Sequence, residues 1–157
     1  MNILFLCTGN SCRSIVAEAL FKVMAPAGVT VQSAGSKPAG FVHPRALAAL
    51  EEVGIATQGL FSKSWDDLPQ KPDVVITLCA DAAGETCPVY FGKVLRGHWG
   101  MPDPAKAQGD EAAIHAAFAQ TVAVLRKRIG ALVQQLAAQP EMDAARLQAV
   151  LDAIAAT

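Results

Sequence analysis

Short, nearly continuous apolar runs alternate along the chain with longer segments whose apolar residues recur at helical spacing. The runs at 2–7, 29–35, 73–79 and 93–99 predict strands. The segments at 12–25, 44–52 and 110–138, and one after Pro140, predict helices, and Ser64 before two aspartates predicts a short helix. Strands that alternate with helices indicate a three-layer α/β/α domain, in which helices cover both faces of a parallel sheet.

The same spacing predicts which side chains face the core. Val16, Leu20 and Val23 share one side of the first helix. In the last segment an apolar stripe of Leu147, Val150, Leu151 and Ile154 is expected to pack on the rest of the molecule. We therefore expect one domain over 1–138 and a helical extension over 139–157 that packs on it.

Composition excludes several classes of function. The 157 residues are 52% hydrophobic and 17% charged, so the chain is expected to fold around a core. The net charge of −1 gives no reason to expect a nucleic-acid partner. No apolar stretch approaches the roughly 18 residues needed to span a bilayer, and the first residues lack the pattern of a signal peptide. A soluble, cytoplasmic protein with no membrane partner is expected.

The four cysteines therefore draw attention, because a reducing compartment disfavours permanent disulfides. They lie at positions 7, 12, 79 and 87. Their spacings, C-x4-C and C-x7-C, are not those of paired zinc ligands, and the three histidines are scattered. We expect no metal and no cofactor, and catalytic roles for some of the thiols.

Cys7 lies where the first strand ends, and the loop Thr8–Cys12 leads directly into a helix. Such a loop can direct backbone N–H groups at one point, where the start of the helix adds partial positive charge. Arg13 supplies a planar fork that matches a tetrahedral oxyanion, and Ser14 can donate to the sulfur. The predicted oxyanion site comprises Thr8, Gly9, Asn10, Ser11, Cys12, Arg13 and Ser14, with the Cys7 thiolate as nucleophile beneath the anion.

The stretch "CTGNSCRS" resembles the C-x5-R signature loop of the low-molecular-weight tyrosine phosphatase superfamily, which includes the thiol-coupled arsenate reductases. The likeness continues through "SAG" (33–35), "DVVITLC" (73–79), "ETCP" (85–88) and "HWGMPDP" (98–104), over roughly residues 1 to 135. The resemblance implies a four-stranded parallel sheet with the active site at its first loop. It also implies that Asp103, between two prolines, is the general acid.

Two activities compete within this resemblance. A phosphatase would hydrolyse phosphate monoesters through a phosphoenzyme on Cys7 and needs no second thiol. An arsenate reductase needs further cysteines, and Cys79 and Cys87 resemble its redox pair. The aromatic residues that typically follow the Asp-Pro in the phosphatases are replaced here by Ala105 and Lys106. The reductase is therefore favoured, with thioredoxin, glutaredoxin or a small thiol as the external reductant.

Two further points stay open from the sequence. A non-catalytic oxyanion or thiol sensor is a third hypothesis, and Cys12 has either a packing role or a protective one. Some reductases of this kind bind potassium beside the loop, through four residues of which Asn10, Glu18 and Ser33 match three. The fourth position falls on Lys63, whose ammonium group either replaces the cation or points into solvent.

Overall fold

The fold is given by a computed structural model that describes residues 1–84 and 91–157. Each of the predicted strands and helices is present. The strands are β1 (Asn2–Leu6), β2 (Thr30–Ala34), β3 (Val74–Thr77) and β4 (Leu95–His98), and the helices are α1 (Arg13–Met24), α2 (Pro44–Glu52), α3 (Ala80–Gly84), α4 (Glu111–Ala138) and α5 (Ala144–Ala155). Short 3-10 helices cover Trp65–Asp67 and Pro104–Lys106. Helix α3 lies where the sequence predicted none.

The strands form one parallel sheet in the order β2-β1-β3-β4, which confirms the predicted α/β fold with four parallel strands. β1 pairs with β2 on one side and with β3 on the other, so its carboxyl end lies in the middle of the sheet edge. Leu6 and Thr77 are partners in the last register position. The residues that follow β1 and β3 are therefore brought side by side, although more than seventy positions separate them.

One face of the sheet is built on Phe5, whose ring lies 6.0 Å from that of Phe21 in α1 and 6.1 Å from that of Trp99. Helix α5 packs on the same face beside β4, where Leu151 fits against Gly97. The four stripe residues of α5 are buried, as predicted. The expectation for Val23 is wrong: it is 64% exposed, because Phe21 takes the inward position near that end of α1. None of the helices in 1–84 and 91–157 is long and apolar enough to cross a membrane.

Candidate active site

The loop that follows Cys7 is held from outside through its carbonyl groups. The N–H groups of Lys37, Ala39 and His43 donate to the carbonyls of residues 8, 9 and 11 at 3.0, 2.8 and 2.9 Å. A peptide group is planar, with its N–H directed opposite to its C=O. The N–H groups of residues 9, 10 and 12 are therefore turned away from the 37–43 segment. The backbone of this loop presents donors on its inner side.

Asn10 fixes the shape of the loop. It is fully buried and has a φ of 45°, a left-handed conformation that asparagine tolerates better than most residues. Its side-chain amide donates to Ser14 Oγ at 2.8 Å and to Ser33 Oγ at 3.1 Å, and its Oδ1 accepts from the Lys63 backbone N–H at 2.9 Å. Three hydrogen bonds thus hold a conformation that would otherwise be unfavourable.

The hydroxyl of Ser14 lies 3.1 Å from Cys7 Sγ, and both residues are buried. Because Ser14 Oγ already accepts from the Asn10 amide, its own proton is free to point at the sulfur. A hydroxyl donor at this distance fixes the position of the Cys7 sulfur at the end of β1. The arrangement therefore orients Cys7 for attack on an electrophile.

A buried carboxylate lies behind the loop. Glu18 is 3% exposed, and its Oε1 accepts from Ser33 Oγ at 2.6 Å. Lys63 Nζ lies 3.3 Å from the same oxygen and donates to the Phe61 carbonyl at 3.1 Å, whereas Lys22 Nζ lies 3.1 Å from Oε2. Lys63 does not point into solvent, because only 10% of its side chain is exposed.

Arg13 and Asp103 lie together at the front of the site. Arg13 Nη2 is 3.6 Å from Asp103 Oδ2, and its Nη1 donates to the Met101 carbonyl at 3.1 Å. Among the described residues, the buried Nε of Arg13 has no hydrogen-bond acceptor. Asp103 Oδ1 caps the short helix that follows by accepting from Ala105 N at 3.0 Å. The guanidinium thus keeps one buried donor for a ligand.

Cys79 lies beside the loop, as the parallel register of β1 and β3 requires. Its Sγ is 3.7 Å from Thr8 Oγ1 and accepts from the Ala82 N–H at 3.4 Å. Cys79 is buried, with 7% of its surface exposed. Cys87, the other predicted redox residue, lies outside the described residues. The contact between Thr8 and Cys79 was not predicted from the sequence. It follows from the pairing of β1 with β3, which places the residues after the two strands next to each other.

Cys12 is the second thiol of the loop, and it is also buried. Burial raises the pKa of the Cys12 thiol to about 11, and the Ser11 hydroxyl, which donates to its sulfur at 3.9 Å, only partly opposes this effect. The thiol therefore stays protonated near neutral pH, where it is a weak nucleophile.

Gly35 also belongs to the site, although the sequence indicated it only as the last residue of the motif "SAG" (33–35). A Cβ at this position would lie 2.3 Å from the Thr8 carbonyl oxygen and 2.7 Å from that of Cys7. The Gly35 backbone is also fixed, because its N–H donates to the Lys63 carbonyl and its own carbonyl accepts from Trp65 N, both at 3.0 Å. Only glycine fits between β2 and the loop.

Comparison with known proteins agrees with this geometry. The arsenate reductase of Bacillus subtilis (strain 168) is 46% identical over 110 residues, which cover 69% of this chain and 78% of that protein. A solved arsenate reductase in the phosphate-binding state superposes with a TM-score of 0.67 at 27% identity, over 85% of this chain and 97% of the other. The YwlE arginine phosphatase, solved as a C7S mutant with a phosphorylated active-site serine, gives a TM-score of 0.68 at 29% identity over 87% and 96%.

The family model for low molecular weight phosphotyrosine protein phosphatases matches residues 2–142, which include all the described elements except α5. Both the family match and the named relatives confirm the predicted resemblance to this superfamily and to its arsenate reductases. The chain belongs to the low molecular weight phosphotyrosine protein phosphatase family, in which it is similar to the arsenate reductases.

Proposed function

We propose that this protein is an arsenate reductase that passes electrons from thiols to a bound oxyanion. The observation that carries the proposal is the position of Cys79, whose sulfur lies 3.7 Å from the hydroxyl of the residue next to Cys7. Two buried thiols thus lie at the ends of adjacent strands, at the centre of the sheet edge. A phosphatase needs only the first of them.

The oxyanion is held by the inner side of the loop and by Arg13. Tetrahedral oxyanions are recognised well by clustered backbone N–H groups and by a guanidinium fork. The N–H groups of residues 9, 10 and 12 are the clustered backbone donors. The guanidinium is that of Arg13, whose buried Nε has no acceptor among the described residues. Such an anion would also stabilise a site that concentrates positive partial charge.

The reduction proceeds in thiol steps that balance atoms and electrons. The Cys7 thiolate attacks arsenate and forms a sulfur–arsenic(V) bond, and one oxygen leaves as water. Cys79, as thiolate, then attacks the Cys7 sulfur. A Cys7–Cys79 disulfide forms, and the sulfur–arsenic bond breaks with its electron pair on arsenic, so arsenite(III) departs. Cys87 exchanges with this disulfide, and the resulting Cys79–Cys87 disulfide is reduced by an external dithiol such as thioredoxin.

Asp103 supplies the proton for the departing oxygen. Its carboxyl is 25% exposed and pairs with Arg13 at 3.6 Å, at the front of the site. From this position the carboxyl group can protonate an oxygen that leaves the anion held by Arg13. Ala105 and Lys106 follow in place of the aromatic wall that suits a phenyl ester, which favours a small inorganic substrate.

The test compares two reactions of the same purified protein. We expect arsenate-dependent oxidation of a reduced thioredoxin system, measured by NADPH consumption, and little hydrolysis of an aryl phosphate or of phosphoarginine. Rapid ester or phosphoarginine hydrolysis without arsenate reduction would assign the site to a phosphatase. An absence of turnover in every assay would leave a binding protein.

Lys63 serves as a built-in cation behind the loop. Its ammonium group lies 3.3 Å from Glu18, which connects through Ser33 and Asn10 to the loop. We therefore predict that arsenate turnover is the same in potassium and sodium at constant ionic strength. Lys63→Met leaves the buried carboxylate with Lys22 as its only described cation, so the free energy of unfolding should fall by about 1–3 kcal/mol.

Lys63→Met is also expected to lower arsenate turnover, because the loop loses support, and potassium should restore part of that turnover by taking the place of the ammonium group. Lys127→Met is the matched control, since Lys127 is exposed on α4. Turnover of the unmodified protein that rises markedly with potassium would contradict the role given to Lys63.

A further inference from the structure

The loop that carries Asp103 is held from behind by a buried arginine of α4. Arg128 is 9% exposed. Its Nη1 donates to the carbonyls of Trp99 and Gly100 at 3.2 and 3.5 Å, and its Nη2 donates to the Thr157 carbonyl at 3.2 Å. One guanidinium therefore joins three separate parts of the chain.

Among the side chains that the structure describes, no carboxylate forms an ion pair with Arg128. Burial of a guanidinium is costly unless its donors are satisfied, and here they are used on main-chain oxygens. Two of these carbonyls, at 99 and 100, come just after β4 and just before the Asp103 loop. The geometry of the guanidinium fork thus fixes the direction in which the chain leaves the sheet.

The next residues transmit this constraint to the acid. Met101 N donates to the Leu78 carbonyl at 3.2 Å, and the Met101 carbonyl accepts from Arg13 at 3.1 Å. Asp103 follows two positions later and pairs with the same arginine. The acid loop is therefore held on its inner side by Arg13 and at its start by Arg128.

Helix α5 supports the same point. The indole N–H of Trp99 donates to the Leu151 carbonyl at 3.2 Å. The Leu151 side chain also packs on Gly97, since a Cβ added at that glycine would lie 3.3 Å from the Leu151 Cβ. Helix α5 covers Ala144–Ala155, beyond residue 142, where the family match ends. The added helix and Arg128 both act on the residues that lead into the acid loop.

We propose that Arg128, supported by α5, is a positioning residue that holds Asp103 in place for proton transfer to the departing oxygen. This inference rests on the proposed arsenate reductase activity. Arg128 makes none of the contacts of the Cys7 loop described above. Its loss should slow the chemical step and leave arsenate binding nearly unchanged.

The test compares Arg128→Met with Arg126→Met, which removes an exposed arginine from the same helix. With saturating thioredoxin, Arg128→Met is expected to lower kcat for arsenate about tenfold and to change KM less than about twofold, because misplacement of an acid affects the transition state most. Arg126→Met should match the unmodified protein. Arg128→Lys keeps the charge with fewer donors and should give a smaller loss, and it replaces Arg128→Met if that variant does not fold.

A double-mutant cycle separates positioning from general destabilisation. Asp103→Asn removes the acid, so adding Arg128→Met to it should lower kcat by less than about a further twofold. Losses that multiply would show that Arg128 acts elsewhere and would overturn the inference, as would a fall confined to KM.

Amide hydrogen exchange gives a readout that does not depend on turnover. Arg128→Met, unlike Arg126→Met, should increase exchange in peptides that cover 99–104 at least about tenfold. Unchanged exchange there overturns the inference even if arsenate is reduced. If the unmodified protein does not reduce arsenate, the proposed function fails, and this exchange experiment still decides whether Arg128 holds the loop.

Discussion

Gly35→Ala is expected to lower arsenate turnover about a hundredfold, because a displacement of about 1 Å at reacting groups has an effect of that size. The added methyl group would lie 2.3 Å from the Thr8 carbonyl oxygen and 2.7 Å from the Cys7 carbonyl oxygen. Both are main-chain atoms, so neither can move aside as a flexible side chain would. The backbone of the loop at Cys7 and Thr8 must therefore shift to make room for the methyl group.

Gly35 itself cannot retreat from the loop, because hydrogen bonds of 3.0 Å tie it to Lys63 and Trp65 on its other side. The strain from overpacking should also lower the free energy of unfolding by about 1–3 kcal/mol. Turnover and thermal unfolding should be measured on the same samples, together with the phosphate concentration that protects Cys7 from alkylation. We expect protection to require much more phosphate, since the N–H groups of the loop are displaced.

Gly130→Ala is the matched control, with the same chemical change in α4. A Cβ there would meet only the flexible end of Met24, at an ordinary 3.5 Å, and the higher helix propensity of alanine should add up to about 1 kcal/mol of stability. Full activity in Gly35→Ala would show that the loop tolerates a shift of its carbonyls, and the role of Gly35 would then be wrong.

The signature loop could be predicted because its chemistry is local. A nucleophile at a strand end, small residues and an arginine at a helix start are all contained in Cys7–Ser14, and that order alone implies an anion site. Strand and helix positions followed from apolar periodicity for the same reason. Helix α3 was not predicted, because Ala80–Gly84 is too short to show the helical spacing of apolar residues.

The contacts that shape the site could not be predicted, because they join residues far apart in sequence. The hydrogen bond from the His43 N–H to the Ser11 carbonyl depends on how the connections cross the sheet edge. The position of Lys63 beside Glu18 was anticipated only through the family resemblance, as one of two alternatives. Arg128 had no signal at all: an arginine on a helix is ordinarily exposed, and only the tertiary structure shows its three carbonyl partners.

Cys79→Ser is expected to abolish multiple turnover with arsenate, with a loss of at least about a thousandfold, since a serine hydroxyl cannot replace a thiolate in disulfide formation. The substitution should leave the fold intact. Serine is slightly smaller than cysteine, and its hydroxyl can keep the contacts with Thr8 and the Ala82 N–H that the sulfur makes at 3.7 and 3.4 Å. The variant therefore removes a nucleophile and little else.

Protection of Cys7 from alkylation and oxidation of thioredoxin, measured on Cys79→Ser, distinguish loss of the second thiol from loss of oxyanion binding. Arsenate should still protect Cys7 from alkylation in Cys79→Ser, because the oxyanion loop and Arg13 are untouched, whereas thioredoxin oxidation should stop. Cys7→Ser is the control that loses the attacking thiol itself, so it should be inactive in every assay. Undiminished turnover in Cys79→Ser would mean that the arsenic adduct on Cys7 is resolved directly by the external thiol. The pairing of the two thiols at the sheet edge would then be structural, and the specificity of the enzyme would lie in its reductant.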